Sequence, residues 1–209
     1  TAEWMNLCKV EKRLTCLGDN PLQVLRSSLS RILGRAPSLK KIINNSYFSE
    51  GASLLHNSRK ASSAYKSVAD MSITPALAKA LHRIKDDGTS MTDLHPLWGS
   101  SRKWVLSPGN LVSTVPKNIE TDRTVAEEPE INQFVQRGIG DSIALCLFRF
   151  GIDLSDQRNN QNCALNAIKR GYATLDLKNA SNSLNAMVMM SLLPPDWWEL
   201  IEVSRSPYW

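Results

Sequence analysis

An α+β fold, rich in helix and carrying a few short strands, is what this sequence predicts, and three observations predict it. Apolar residues recur at helical spacing in several segments. Short β-prone runs alternate around a Pro-Gly pair at residues 108–109. The composition, 42% hydrophobic and 22% charged over 209 residues, is that of an ordinary globular chain with room for one or two modest domains.

Asn20 and Pro21 open a segment in which Leu22, Leu25, Leu29, Ile32 and Leu33 share a helical face, and Gly34 stops it. A second helix is expected after Thr74 as cap, with Pro75 in its first turn, Leu77, Leu81 and Ile84 on one face, and Gly88 at its end. Between them, residues 48–63 are rich in Ser, Gly and Asn and read as an ordered loop. Residues 103–107 and 111–115 flank Pro108 and Gly109 and predict a hairpin of two strands. The second strand should bend or lie at an edge, because Pro116 has no N–H for a ladder. Thr124, Val125 and Ala126 are expected to form a returning strand.

From Pro129 the spacing of Ile131, Phe134, Val135, Ile139, Ile143, Cys146 and Leu147 predicts a long helix ended by Gly151, although Gly138 and Gly140 run against helix propensity. Asp156 is then expected to cap a polar helix reaching Lys169 and broken by Gly171. A short strand over residues 172–177 and a helix through Met190, stopped by Pro194 and Pro195, complete the expected order.

Several function classes fall away. The longest apolar run, residues 143–148, is six residues, where a membrane-spanning helix needs about 20. Glu3, Lys9, Glu11, Lys12 and Arg13 crowd the region where a signal peptide would be apolar, so secretion is not expected. Cys8, Cys16, Cys146 and Cys163 form no CxxC pair and no disulfide framework, which fits a reducing cytoplasm. His56, His82 and His95 have no metal-site spacing and read as structural or surface residues. No GxSxG elbow and no GxxxxGK[ST] loop occurs, which removes the hydrolase and P-loop readings. Charge is uneven: residues 1–103 carry 16 Lys/Arg against 8 Asp/Glu, and residues 104–209 carry 9 against 12. A basic first half is compatible with a polyanionic partner and also with solvated helix faces.

Two places hold residues of chemical interest. In the expected strand YATLDL, Tyr172, Thr174 and Asp176 alternate with apolar neighbours, and no Lys or Arg shares the face of Asp176. Its carboxylate is either a cap for the following helix or a ligand for Mg²⁺, a hard cation that takes oxygen donors and keeps positions for phosphate oxygens. Lys117 and Arg123 flank a short polar link that is either a solvated hairpin tip or a pair of cations for one anion such as a triphosphate. Trp197 and Trp198 read as a packing anchor rather than a base-stacking platform.

In order along the chain, four blocks resemble those of the RNA-dependent RNA polymerase of leviviruses, the Q-beta-like replicase catalytic (beta) subunit of small positive-strand RNA bacteriophages. TVPKNIETDRTVAEEP (residues 114–129) is similar to the family's TVPKNxKTDRxxxxEP, GIDLSDQRNNQ (151–161) to its GIDLxDQxxNQ, ATLDLKNASNS (173–183) to its motif A pattern ATxDLSxASDS, and LPPDW (193–197) to its LPPxW. FSEGA (48–52) is a weaker echo of a Gly-rich element, and residues 1–47 match nothing in the pattern. The resemblance implies a right-hand polymerase: residues 1–161 as the N-terminal and fingers region with a β-hairpin, and 162–209 as the first palm strand and helix. It implies template-directed nucleotidyl transfer by a two-Mg²⁺ mechanism, with Asp176 as the catalytic metal ligand and Lys117 and Arg123 on the incoming ribonucleoside triphosphate. RNA template, nascent RNA and the host elongation factors Tu and Ts are the partners it implies, without a membrane, in the cytoplasm of a bacterial host.

Two positions depart from the family pattern. The second acid of motif A, associated with the ribose hydroxyl, is Asn182, an amide that still donates and accepts hydrogen bonds. The Lys inside the cation block is Glu120, which leaves Lys117 and Arg123 to carry the positive charge. The Gly-Asp-Asp hairpin of such enzymes is absent from these 209 residues, so a fragment without the remaining palm and thumb, inactive alone, is expected. A non-catalytic RNA-binding module with a basic N-terminal half is the alternative from a different class.

Overall fold

The computed structural model describes residues 21–56, 62–86, 103–116, 119, 122–173 and 185–208. In chain order its elements are α1 (Pro21–Leu33), α2 (Leu39–Asn45), α3 (Ser63–Val68), β1 (Met71–Ile73), α4 (Pro75–Asp86), β2 (Trp104–Leu106), β3 (Leu111–Pro116), β4 (Asp122–Glu127), α5 (Glu130–Arg149), α6 (Arg158–Leu165), α7 (Ala167–Arg170), α8 (Ala186–Leu192) and α9 (Pro195–Ser204). Helices with two small sheets make the α+β architecture expected from the sequence. The chain forms two compact units, one of residues 37–142 with 199–209 and the other of residues 1–36 with 143–198.

In the first unit the N-terminal half of α5 supplies the central apolar stripe. Ile131, Phe134, Val135 and Ile139 recur every three to four residues and are all buried, as are Ile42 and Ile43 of α2, Leu77 and Leu81 of α4, and the whole of β1. Phe48 and Phe134 stack at a tilt with ring centroids 4.8 Å apart. Gly138 is small for a reason: a Cβ there would run into the Ser46 hydroxyl and lie 2.9 Å from the Ile42 carbonyl oxygen, so the glycine lets α2 approach α5. Ser38 and Ser62 cap α2 and α3 by accepting the N–H of Lys41 and of Tyr65.

The strand pairing corrects one expectation. Residues 103–107 and 111–115 do not pair with each other across Pro108 and Gly109. Instead β2 runs parallel to β1, in the register Met71↔Trp104 to Ile73↔Leu106, and β3 pairs antiparallel with β4, from Leu111↔Glu127 to Pro116↔Asp122. The hairpin therefore exists one element later, with the expected returning strand as its second arm. Pro116 ends β3, where its missing N–H costs the ladder least. Residues 48–56 form the expected loop, closed by a bridge between Ser53 and His56. The short helices α2 and α3 and the strand β1 were not legible in the sequence.

The second unit contains α1, the end of α5 from Ile143, α6, α7, α8 and the start of α9. Pro195 is the first residue of α9, the position where its lacking N–H is harmless. Trp197 is fully buried and donates its indole N–H to the Gly34 carbonyl at 3.1 Å, so it is the packing anchor the sequence implied. Asp196 accepts the Ala36 N–H at 2.8 Å, and Arg26 donates to the Ser191 carbonyl at 2.7 Å. The polar helix expected between Asp156 and Lys169 is interrupted at Asn166 into α6 and α7. Asp156 stands outside it and accepts the N–H of Arg158, the first helical residue, while also pairing with that residue's guanidinium. Gly171, at φ 67°, ends α7 in the left-handed conformation, and Tyr172 donates back to the Ala167 carbonyl. Tyr172 thus closes a helix rather than opening the strand expected over 172–177, whose remaining residues from 174 lie outside the described ones.

Candidate functional site

Of the four residues singled out from the sequence, Arg123 lies among the described ones, whereas Lys117, Asp176 and Asn182 fall outside them. Arg123 is the second residue of β4, directly opposite Val115, and its side chain is exposed. Period two puts Arg123, Val125 and Glu127 on one face of the β3–β4 ribbon with Leu111, Ser113 and Val115. Ser113 donates to the Glu127 carboxylate on that face at 2.7 Å, so the acid on that face is already hydrogen-bonded. The ion pairs among the described residues join Arg137 to Asp141, Arg158 to Asp156 and Arg205 to Glu202, and none takes Arg123. A planar guanidinium held at a strand position, exposed and unneutralised by those acids, is chemically suited to a phosphate or carboxylate. Lys117 follows Pro116 directly in sequence, in the link that joins the two arms.

Behind the arm, the start of α5 gathers polar side chains whose burial no sequence pattern announced. Glu130 has no exposed surface, and its carboxylate accepts the Leu55 N–H and the Ser72 N–H, each at 2.8 Å, together with the Ser72 hydroxyl at 2.5 Å. Burial pushes this carboxyl's pKa up, but those hydrogen bonds and one from its own N–H outweigh it and hold the group below its ordinary value. Lys66 is equally buried and donates to the Ser49 carbonyl at 3.0 Å and the Gln133 side-chain oxygen at 2.9 Å. Desolvation lowers its pKa, and the Glu130 charge opposes that fall. Asn132 accepts the Thr74 N–H and donates to the Thr74 hydroxyl and the Ser204 carbonyl. The loop around Ser49 and Leu55, β1 with Thr74 after it, and the end of α9 at Ser204 are thereby tied to one helix end, which is an architectural role.

His56 is buried with its ring nitrogen 2.9 Å from the Asp70 carbonyl, and His82 is exposed on α4, as the sequence implied for both; His95 lies outside the described residues. Cys146 and Cys163 are free. Among the described residues no three His, Cys, Asp or Glu side chains are grouped to hold a metal ion, and no helix is long and apolar enough to cross a membrane.

An α+β chain whose β3–β4 ribbon carries the exposed Arg123 is matched by the family model for the RNA replicase beta-chain over residues 5–209, and the chain belongs to that family. Particular relatives are phage enzymes. It is 34% identical over 188 residues to the RNA-directed RNA polymerase beta chain of Enterobacteria phage fr, covering 88% of this chain and 34% of that one. To the RNA-directed RNA polymerase subunit beta of Escherichia virus Qbeta it is 33% identical over 192 residues, 91% of this chain and 31% of the other. Against the beta chain of Escherichia phage MS2 the identity is 31% over 188 residues, 88% and 34% of the two chains. The chain spans about a third of the length of these curated relatives, and the levivirus resemblance read from its four blocks is borne out.

Proposed function

We propose that this chain is part of an RNA-directed RNA polymerase that replicates a positive-strand RNA phage genome by template-directed nucleotidyl transfer. The observation that carries the proposal is the family match over residues 5–209, with relatives whose names state that activity. In this reading residues 1–161 are the N-terminal and fingers region and 162–209 open the palm. The RNA template, the nascent strand and ribonucleoside triphosphates are the ligands, elongation factors Tu and Ts are host partners, and the bacterial cytoplasm is the place of action. The 209 residues by themselves are inactive, since motif A supplies one carboxylate where a metal pair needs several.

Arg123 and Lys117 hold the triphosphate. The fork of Arg123 takes two phosphate oxygens, and the ammonium of Lys117 adds a point charge as negative charge shifts toward the departing pyrophosphate. Support comes from the exposure of Arg123 on the arm and from its freedom from the ion pairs among the described residues. Asn182 hydrogen-bonds the ribose hydroxyl. Asp176 is the residue that would hold Mg²⁺, and its carboxylate is a donor of the hard type that ion takes. When bound, the metal supplies charge neutralisation at the phosphoryl group being transferred.

The test is Asp176→Ala in the complete replicase polypeptide. Loss of Mg²⁺-dependent RNA synthesis with retained folding is expected, and persistent synthesis overturns the assignment. Steeply salt-dependent RNA binding with no nucleotide incorporation in the complete polypeptide would instead favour a non-catalytic RNA-binding module.

A further inference from the structure

The β3–β4 ribbon is exposed along most of both arms: Leu111, Val112, Val115, Asp122, Arg123 and Thr124 all face solvent. Its direction is therefore set at its root. There Glu128, one residue past β4, accepts Asn110 Nδ2–H at 3.0 Å on one carboxylate oxygen and the Ser206 hydroxyl at 2.7 Å on the other. Asn110 immediately precedes β3, so one side chain ties the two arms' bases to each other and to the chain after α9. The backbone completes the knot. Glu128 accepts the Leu54 N–H through its carbonyl, Asn110 donates its N–H to the Tyr208 carbonyl at 3.0 Å, and a Cβ on Gly109 would collide with that same carbonyl. Asn110 Oδ1 is buried without a hydrogen-bond partner, so the Asn110 side chain is anchored through its amide N–H.

We propose that Glu128 is a positioning residue for the cation arm, fixing where Arg123 meets the triphosphate without touching the nucleotide itself. The proposal rests on the polymerase reading above. It accounts for the Glu that closes the VPKN to EP block, a position that neither the metal nor the phosphate role uses. The carboxylate's two oxygens act as a hinge pin: one takes Asn110, the other takes Ser206 and, at 3.5 Å, Gln136 Nε2 of α5, and loss of the carboxylate lets the ribbon swing about its base.

The experiment compares variants in the complete replicase polypeptide by steady-state nucleotide incorporation, thermal unfolding and tryptic cleavage after Arg123. Glu128→Ala is expected to raise KM for the nucleoside triphosphate about tenfold, to change kcat little and to speed cleavage after Arg123. Glu128→Gln should restore KM to within about twofold of the parent, because its amide oxygen still accepts Asn110 and its amide N–H can donate to the Ser206 hydroxyl. In an Arg123→Ala background, Glu128→Ala should add nothing to KM, since the group it positions is gone. Should Glu128→Ala fail to fold, Ser206→Ala removes the shortest of the three donors to the Glu128 carboxylate and must move KM in the same direction. Unchanged KM in Glu128→Ala beside a raised KM in Arg123→Ala overturns the positioning role alone. Unchanged KM in Arg123→Ala overturns the cation reading beneath it.

Discussion

A carboxylate with no exposed surface survives in the ionised form only where donors converge on it, and Glu130 has the Ser72 hydroxyl and the N–H groups of Leu55 and Ser72. Glu130→Gln would turn an NH₂ toward at least one of those donors and remove the charge that faces Lys66. A loss of about 3 kcal/mol in unfolding free energy at neutral pH is expected, measured by denaturant titration. The pH dependence follows from the direction of the shift. Because the folded carboxyl lies below its ordinary value, its contribution is fully present above the unfolded value of about 4.3 and disappears as pH falls through the folded one. The parent chain should therefore lose stability on acidification more steeply than Glu130→Gln, and equal acid limbs would refute the account. Lys66 acts with the opposite timing: burial lowers its pKa, so its cost persists through neutral pH and is relieved only as pH rises toward the ordinary lysine range.

Within α5, two glycines two residues apart carry opposite expectations. Gly138 is closed in by Ser46 and the Ile42 carbonyl, so Gly138→Ala should cost about 1–3 kcal/mol by overpacking. Gly140 has nothing within 4 Å of a Cβ, so Gly140→Ala should gain about 0.5–1 kcal/mol from helix propensity. Thermal unfolding of the pair checks this, and the same sign for both would refute it. From the sequence these residues looked alike, as two weak points in one helix. Elements with a long local signal were legible for that reason: α1, α4 and α5 announce themselves by apolar spacing with Pro or Gly at their ends. By contrast α2 and α3 span barely two turns and β1 has three residues, too few for a period to emerge, while β2 was legible as a strand over 103–107 but not in its pairing. The partner of β2 lies far upstream, beyond α4, so the Pro108–Gly109 turn pointed to the nearest strand instead. Arg123 drew attention through its block, and its exposed place on β4 is what the structure adds, whereas Glu130 and Lys66 gave no signal, because a buried charge is explained only by donors that the fold brings from distant segments.

Over the chain as a whole, charge is the property most easily carried from sequence to behaviour. Residues 1–103 hold 16 Lys/Arg against 8 Asp/Glu, and among the described residues Arg31, Arg35, Lys40, Lys41, Lys79 and Arg83 all have exposed side chains. Lys66, the buried exception, is spent on the centre beneath α5. Cations on solvent faces that meet a polyanion release its counterions, and affinity then falls with salt in proportion to the phosphates neutralised. If the basic half serves RNA, filter binding of this chain to single-stranded RNA should give a log–log salt slope of about −2 or steeper, since each phosphate contributes about −0.7. Lys40→Ala with Lys41→Ala should flatten that slope, whereas Arg123→Ala should change it by no more than one contact, because the function proposed above gives Arg123 to the triphosphate rather than the template. A salt-independent affinity would leave the basic half as a set of solvated helix faces. A slope that collapses on Arg123→Ala alone would move the template onto the arm and take the nucleotide off it.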